Sequence, residues 1–186
     1  SDLGHRREKS VGAFGAVDIL ISNAGIRDSF ITVEELNLDL WQKVIDVNVK
    51  GPTMLSQLVI NHWLGKKKPG VIINTASVGG MFGARGGVSY VTSKHAVIGL
   101  TKNIAAVYRE DNIRAVAVDP GDIQTNIGNT LKNPNMTGMH PLTQYVATSP
   151  TGQAADVANV SACLASNEAR CVNGTVVTVD GCGTGA

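Results

Sequence analysis

Three side chains near the middle of the chain have the types and the spacing that proton transfer requires. Ser77 follows a short apolar run, and Tyr90 and Lys94 lie four residues apart. A phenol with a pKa of about 10 exchanges protons poorly near neutral pH, but a fixed ammonium group one helical turn away stabilises the phenolate and lowers that pKa. We therefore expect Tyr90 to act as a general acid or base, Lys94 as its electrostatic partner, and Ser77 as a hydroxyl donor to the substrate oxygen.

Two predicted elements would position these groups. Residues 71–76 form a β-branched apolar run bounded by glycines, which is typical of a strand buried on both faces of a parallel sheet. Such a strand places Ser77 at the carboxyl edge, where open α/β proteins bind ligands. Residues 89–108 show helical periodicity, so Tyr90 and Lys94 lie on consecutive turns. A Tyr–Lys pair at this spacing also arises by chance, and a Tyr at a helix start is often a packing residue.

Composition limits the class of protein. The chain has 186 residues, 43% of them hydrophobic, and a formal net charge of +1. This length and apolar content predict one domain, residues 1–186, with its own core. The near-neutral charge gives no indication of a nucleic-acid or anionic-membrane partner. Because no apolar run reaches spanning length and the first residues do not resemble a signal peptide, we expect a cytoplasmic protein without a membrane partner.

The cysteines and histidines give no indication of a metal site. Cys163, Cys171 and Cys182 have no paired spacing, and an odd number leaves at least one without an internal partner. We expect reduced thiols that serve as small apolar fillers in a reducing compartment. The four histidines form no ligand-spaced group, so no metal is predicted.

The remaining periodic segments predict the fold class. Apolar β-branched runs alternate with helical patterns, which favours an α/β fold with a parallel sheet and helices on both faces. The predicted result is a doubly wound, three-layer α/β/α sheet of four strands. Strands are expected at 17–21, 71–76, 113–118 and 175–179, and helices at 38–64, 89–108 and 154–164.

The ordered set of short motifs resembles the short-chain dehydrogenase/reductase family over nearly the whole chain. Asn-Thr-Ala-Ser ends one strand at Ser77, a Tyr follows thirteen positions later and a Lys four after that. Asn23-Ala24-Gly25 ends an earlier strand, and Asp119-Pro120-Gly121 ends a later one. The resemblance implies a Rossmann-like fold and a catalytic tetrad of Ser77, Tyr90, Lys94 and Asn48 acting with NAD or NADP.

The same resemblance implies a set of cofactor contacts. Asn23, Ala24 and Gly25 would lie beside a ribose, where small residues allow close approach of the backbone. The Pro-Gly-x-Ile-x-Thr element would face the nicotinamide, with backbone groups near Ile123 holding the carboxamide and the Thr125 hydroxyl adding a contact. The implied cofactor-binding residues are Asn23, Ala24, Gly25, Tyr90, Lys94, Pro120, Gly121, Ile123 and Thr125.

A proline one turn after Asn48 suggests a further role for that residue. Pro52 has no N–H, so it cannot bond to the Asn48 carbonyl four residues earlier. Our hypothesis is that the freed oxygen holds a water beside Lys94 and begins a proton relay to solvent. The alternative is that Pro52 only kinks a long helix.

The largest departure from the family pattern lies at the N-terminal side. The family's opening β-α-β-α-β half, with the glycine-rich turn that holds the pyrophosphate at a helix N-terminus, is missing from this sequence. The sheet is therefore expected to be incomplete, with an apolar strand edge exposed, and the chain to be a fragment of a longer parent. NAD cannot be distinguished from NADP, because the discriminating residues belong to that half.

Residues 126–152 show no convincing periodicity. A long segment without clear structure is often a binding loop or lid, so we interpret it as a substrate loop, with disorder as the alternative. The side chains expected to line a substrate pocket are Met136, Met139, His140, Leu142 and Tyr145.

Taken as a family member, the chain is expected to transfer hydride between nicotinamide and a small-molecule secondary alcohol or ketone, as a homodimer or homotetramer. One alternative is a non-catalytic member that acts as a folded, oligomerising scaffold. The other is an esterase of the α/β-hydrolase type, which is disfavoured because no serine lies in a Gly-x-Ser-x-Gly elbow.

Overall fold

The structure is a computed structural model that describes residues 12–13, 15–131, 133–146 and 149–185. Its five helices of more than one turn among these residues are α1 (Leu38–Ile45), α2 (Gly51–Lys66), α3 (Val88–Val107), α4 (Met136–Val146) and α5 (Ala154–Ala165). Its strands are β1 (Ile19–Ser22), β2 (Gly70–Thr75), β3 (Ile113–Pro120), β4 (Ile123–Gln124), β5 (Gly152–Gln153) and β6 (Val176–Val179).

The main sheet has four parallel strands in the order β1-β2-β3-β6. Ile72 of β2 is paired with Leu20 of β1 on one side and with Ala115 of β3 on the other. The predicted four-stranded parallel sheet is therefore confirmed. The short strands β4 and β5 form a second parallel pair that the sequence did not predict.

Helices cover both faces of this sheet. On one face, Trp63 of α2 and Ile104 of α3 pack with Ile72 and Ile113. On the other face, Leu164 of α5 packs against inward side chains of the same strands, including Ile73 and Val116. Successive residues of one strand thus serve opposite layers, which is why these strands are apolar throughout. The predicted doubly wound, three-layer α/β/α class is confirmed.

The long helix predicted over 38–64 is interrupted by a wider turn. Between α1 and α2 the chain forms a π-helical turn, Asp46–Lys50, in which the Gly51 N–H donates to the Asp46 carbonyl. Pro52 follows immediately and has no N–H to restore the regular pattern. The π turn carries Asn48 and therefore sets the position of this residue in the site.

Residues 126–152 are more regular than the sequence indicated. They contain a 3-10 helix, Asn126–Thr130, and the eleven-residue helix α4. Pro141 lies inside α4 and weakens the helical signal, because proline removes a backbone donor.

The three cysteines differ from the expectation in their burial. Cys163, Cys171 and Cys182 are free thiols, but all three side chains are exposed. The interpretation of these residues as buried apolar fillers was wrong. All three lie in the C-terminal part of the chain. A cysteine side chain is small and weakly polar, so the sequence alone does not show whether it is exposed or buried.

Strand β1 forms one edge of the sheet. Among the described residues it pairs only with β2, and its Ile19 and Ile21 side chains are 45% and 50% exposed. The apolar edge expected from the sequence is therefore present. No helix in the described part of the chain has the length and apolarity needed to cross a membrane.

Candidate active site

A cavity of about 760 Å³ opens at the carboxyl edge of the sheet. The ends of β1, β2 and β3 form its floor, and the start of α3 and one side of α5 form its walls. This is the position at which a doubly wound sheet is expected to bind a ligand. The lining includes Asn23, Ala24, Gly25, Arg27, Ser77, Arg85, Tyr90, Lys94, Pro120, Gly121, Asp122, Ile123, Thr125, Ile127, Leu142 and residues of α5.

Ser77 lies directly after β2 and is only 8% exposed. Its N–H donates to Oδ1 of Asp119 at 2.8 Å, which ties the ends of two neighbouring strands together. Its hydroxyl oxygen accepts from the Gly79 N–H at 3.1 Å. Ser77 therefore has both its backbone and its side chain held in place at the cavity wall.

Tyr90 lies in the first turn of α3 and is 9% exposed. Burial raises the pKa of its phenol above the ordinary value, while the side-chain hydrogen bond with Ser77 and the charge of Arg27 oppose that rise. The lowering of the Tyr90 pKa that we expected from Lys94 is therefore not the net result in this structure. Tyr90 and Ser77 both line the cavity, so the phenol and the serine hydroxyl belong to one site.

Lys94 is one turn further along α3, with its ammonium nitrogen Nζ 5.6 Å from the centre of the Tyr90 ring. It is 4% exposed, and Nζ donates to the Thr75 carbonyl at 2.9 Å. Burial lowers the Lys94 pKa to about 8, although the nearby Asp119 carboxylate favours the charged form. The ammonium group is thus held at the end of β2 with a pKa close to the working range.

Asn48 does not line the cavity and lies buried behind it, with 1% of its surface exposed. Its side-chain oxygen accepts from the Ile26 N–H at 2.9 Å, and its amide nitrogen donates to the Ile26 carbonyl at 2.8 Å and to the Ser93 hydroxyl at 2.9 Å. A Cβ on Gly25 would lie 3.4 Å from Lys94 Nζ and 3.5 Å from Asn48 Oδ1. Asn48 and Lys94 therefore approach the same glycine.

The seven other residues implied as cofactor contacts all line the cavity. Three follow β1, and the other four begin at the last residue of β3 and end just after β4, so they lie on either side of Ser77, which follows β2. Asn23 accepts a hydrogen bond from the Thr75 hydroxyl at 3.1 Å, while the Thr125 hydroxyl accepts from the Ile127 N–H at 3.4 Å. The full set is Asn23, Ala24, Gly25, Pro120, Gly121, Ile123 and Thr125.

The side chains suggested for a substrate pocket divide into two groups. Of these candidates, Leu142 lines the cavity, whereas Met136, Met139 and His140 do not, and Met136 is 69% exposed. The Tyr145 side chain lies outside the described part of the structure.

Asp28 is a structural residue of the site that the sequence analysis missed. It is 1% exposed, and its Oδ2 atom accepts from the N–H groups of Ser89 at 2.9 Å and Tyr90 at 3.3 Å. A carboxylate 61 residues away thus caps the helix that carries Tyr90. The N-cap residue of α3 is Gly87, which has no side chain to cap the helix. A Cβ at this position would collide with the Asp28 carboxylate.

Asp119 was also missed, although its position at the end of β3 was part of the Asp-Pro-Gly motif. It has no exposed surface. Burial raises its pKa to about 6, while the Ser77 N–H and the Lys94 ammonium pull the pKa of Asp119 downward. A carboxyl group that directly follows a buried strand, before Pro-Gly, was the signal that could have identified it.

Comparisons with known proteins agree with this geometry. A family model described as enoyl-(acyl carrier protein) reductase matches residues 3–184. Among curated proteins, the chain is 37% identical over 175 residues to 3beta-hydroxysteroid dehydrogenase 2 of Eggerthella lenta, an alignment that covers 94% of this chain and 67% of that protein.

Two solved structures are similar over almost the whole chain. A 4-hydroxyisoleucine dehydrogenase complexed with NADH and succinate has a TM-score of 0.81 and 33% identity, with 98% of this chain and 75% of the other covered. A gluconate 5-dehydrogenase from Burkholderia cenocepacia J2315, in complex with NADP and tartrate, has a TM-score of 0.85 and 28% identity, with coverages of 99% and 71%.

Proposed function

The chain belongs to the short-chain dehydrogenase/reductase family and is an NAD- or NADP-dependent oxidoreductase, and on that premise we propose that Ser77, Tyr90 and Lys94 carry its chemistry. The reaction transfers hydride between nicotinamide and a small-molecule secondary alcohol or ketone. The convergence of the Ser77 hydroxyl, the Tyr90 phenol and the Lys94 ammonium group on one cavity wall is the observation that carries this assignment.

The cavity fits the nicotinamide and ribose end of such a cofactor. Gly25 leaves open the space beside Lys94 Nζ that a side chain would fill. We assign Asn23, Ala24 and Gly25 to the ribose side, and Pro120, Gly121, Ile123 and Thr125 to the carboxamide side. When bound, the nicotinamide ring supplies or accepts the hydride.

Tyr90 moves the proton of the reacting hydroxyl. In the reductive direction its phenol donates a proton to the forming alkoxide, and in the oxidative direction its phenolate removes the alcohol proton. The Ser77 hydroxyl donates to the same substrate oxygen and fixes its orientation. Lys94 supplies the positive charge that favours the phenolate, and its ammonium group would hold the ribose of a bound cofactor.

Asn48 anchors the route by which the proton reaches solvent. Its side chain is committed to Ile26 and Ser93, so only its backbone carbonyl remains for a water beside Lys94. The π-helical turn and Pro52 support this proposal, because Pro52 cannot donate to that carbonyl. Proton exchange between Tyr90 and solvent would then pass through Lys94 and this water.

Replacement of the phenol tests the assignment directly. Tyr90→Phe retains the ring but removes the proton donor, so we expect kcat to fall about 10²- to 10⁴-fold. Cofactor affinity, followed by NADH or NADPH fluorescence, should stay nearly unchanged because the ring still packs in place. Tyr108→Phe, at the end of α3 and outside the cavity, is the matched control. Turnover retained in Tyr90→Phe would contradict the assigned role.

We further propose that residues 126–152 form the substrate loop of a single domain spanning residues 1–186. Its Ile127 and Leu142 side chains line the cavity at the substrate side. The test is the rise in Tm that a ketone substrate causes. If substitutions confined to this segment change that rise and leave cofactor affinity unchanged, the role is supported.

A homodimer or homotetramer in the cytoplasm is the proposed state of the protein. Exposed apolar side chains on α2 and α3, namely Met54, Leu64 and Val107, favour association between copies. Three free thiols suit a reducing compartment. Light scattering at several protein concentrations tests the first statement, and a monomer throughout would contradict it.

A further inference from the structure

Arg27 places a positive charge inside the cavity next to the proposed acid–base group. It follows β1, and its guanidinium carbon lies 5.6 Å from the centre of the Tyr90 ring. The same carbon lies 4.5 Å from the centre of the Phe30 ring. A substrate whose oxygen contacts Tyr90 therefore has this cation within reach of its neighbouring atoms.

The guanidinium group has no acceptor among the described residues. Its Nε atom is buried without a hydrogen-bond partner, and none of those residues forms an ion pair with Arg27. The charges of Asp28 and Asp122 act on Arg27, but neither carboxylate forms a hydrogen bond or an ion pair with it. Asp28 accepts from the backbone at the start of α3, and Oδ2 of Asp122 accepts from the Thr151 hydroxyl at 2.7 Å. An arginine stays charged in proteins, so this cation lacks a local counter-charge at hydrogen-bonding distance.

Phe30 holds the arginine in place at a conformational cost. Its backbone has a φ of 60°, in the left-handed region, and its side chain is 1% exposed. A bulky residue adopts this conformation only with backbone strain. Backbone strain of this kind persists where the surroundings require it, and here it sets the aromatic ring against the Arg27 guanidinium.

We propose that Arg27 binds a carboxylate of the substrate, so that the enzyme acts on small hydroxy acids or the corresponding keto acids. This inference rests on the proposed function, because it places the reacting oxygen at Ser77 and Tyr90. A guanidinium group offers a planar pair of N–H donors that matches a carboxylate, and a partly buried site strengthens such bonds. The enzyme then prefers the acid to a neutral analogue, because the analogue leaves the Arg27 cation unpaired.

A matched pair of ketones tests the proposal. Acetoacetate and its methyl ester share the reacting carbonyl and differ in the negative charge. In Arg27→Met we expect KM for acetoacetate to rise about 10- to 100-fold relative to KM for the ester. Because the Arg27 charge also lowers the Tyr90 pKa, any change in kcat should be the same for the two ketones. Arg27→Lys should recover part of the affinity. Arg109→Met, which removes an exposed charge beyond the end of α3, is the control for net charge.

Two results would overturn the inference. If kcat for acid and ester falls equally while KM for the two ketones stays in the same ratio, Arg27 acts on the Tyr90 phenolate and not on the substrate. If the affinity for NADH or NADPH alone falls in Arg27→Met, the anion that it binds belongs to the cofactor.

Binding of succinate separates this inference from the proposed function. Succinate has no ketone, so its binding, measured by calorimetry in the presence of cofactor, does not depend on turnover. We expect succinate to bind the unmodified protein and to lose about 10-fold or more in affinity in Arg27→Met. Equal affinity for both proteins overturns the carboxylate site even if ketones are reduced. A loss of affinity without any ketone turnover supports the site and contradicts the hydride-transfer assignment instead.

Discussion

The two sides of the cavity are built in different ways. The proposed catalytic wall, which consists of Ser77, Tyr90, Lys94 and the supporting Asn48, comes from the sheet, α3 and the π turn, and none of the four is more than 9% exposed. The proposed substrate segment, residues 126–152, contains short helices at the surface in its described part. Its best-defined ties are at or near its ends, with the Gly152 N–H donating to the Asp122 carbonyl at 2.8 Å.

Asn135 attaches the segment to the loop after β1 and to Glu35. The Asn135 N–H donates to the Ser29 carbonyl at 2.9 Å, and the Asn135 amide donates to Glu35 at 2.8 Å. At Gly138 a Cβ would collide with the Phe30 carbonyl, so α4 approaches the loop after β1 very closely. The start of α4 thus bridges the cavity to the side that carries Arg27.

The difference reflects what each side must do. Proton transfer requires atoms held to fractions of an ångström, and buried hydrogen bonds to several elements supply that precision. In the proposed role, the segment recognises the substrate, and an exposed segment outside the main sheet can change without disturbing the core. Substitutions in the catalytic wall should therefore affect folding and turnover together, whereas substitutions in the segment should affect mainly KM.

The largest effect is expected at Asn48. Asn48→Ala removes three hydrogen bonds and leaves the Ile26 amide and carbonyl without partners, so we expect the free energy of unfolding to fall by about 2–5 kcal/mol. Turnover should fall as well, because the backbone beside Gly25 loses its support. Urea denaturation measures the first effect. Ser93→Ala, which removes only one of these bonds, should cost about 1 kcal/mol, and equal losses in the two variants would argue against the clamp.

An intermediate effect, visible only through pH, is expected at Asp119. Its folded pKa of about 6 lies above the ordinary value of 3.8, so folding favours the protonated form. The stability that this group contributes is present below about pH 4 and is lost as the pH rises through about 6. Asp119→Asn keeps an oxygen for the Ser77 N–H but cannot ionise. Its Tm should therefore rise relative to the unmodified protein between pH 4.5 and 7, and parallel Tm curves would contradict this.

The smallest effect is expected at the base of the substrate segment. Thr151→Val removes the hydroxyl that donates to Asp122 at 2.7 Å. Because the contact is exposed, we expect stability to change by no more than about 0.5 kcal/mol, while KM rises about two- to fivefold. Thr143→Val, which removes a hydroxyl within α4, is the control and should leave KM unchanged. A large loss of stability in Thr151→Val would show that the segment is part of the core.

The catalytic wall was largely predictable from the sequence for a physical reason. Strands β2 and β3 are buried on both faces, so they appear as apolar runs, and the residue after each run must lie at the carboxyl edge. Helical spacing then places Tyr90 and Lys94 on consecutive turns. The structure brings both to the same cavity as Ser77, while their roles stay predictions until the variants are measured.

The supporting contacts were not predictable because they join distant parts of the chain. Nothing local to Asp28 shows that its carboxylate caps a helix 61 residues later. The Arg27 guanidinium looks like any surface charge until the fold places Phe30 and Tyr90 around it. Helix α4 was missed for a different reason, since Pro141 and neighbouring polar residues hide its periodicity.

The short pairing of β4 with β5 brings residues 123–124 against residues 152–153, so the stretch between them leaves the body of the molecule and returns to nearly the same point. Because the two ends of this insert are adjacent, it can be replaced without moving the residues on either side of it. The entropic cost of closing the insert grows only with the logarithm of its length. A change in its length also leaves the pairing of the four-stranded sheet as it is. If the segment has the proposed role, reactant preference changes by exchange of this one insert, while Ser77, Tyr90 and Lys94 stay in place.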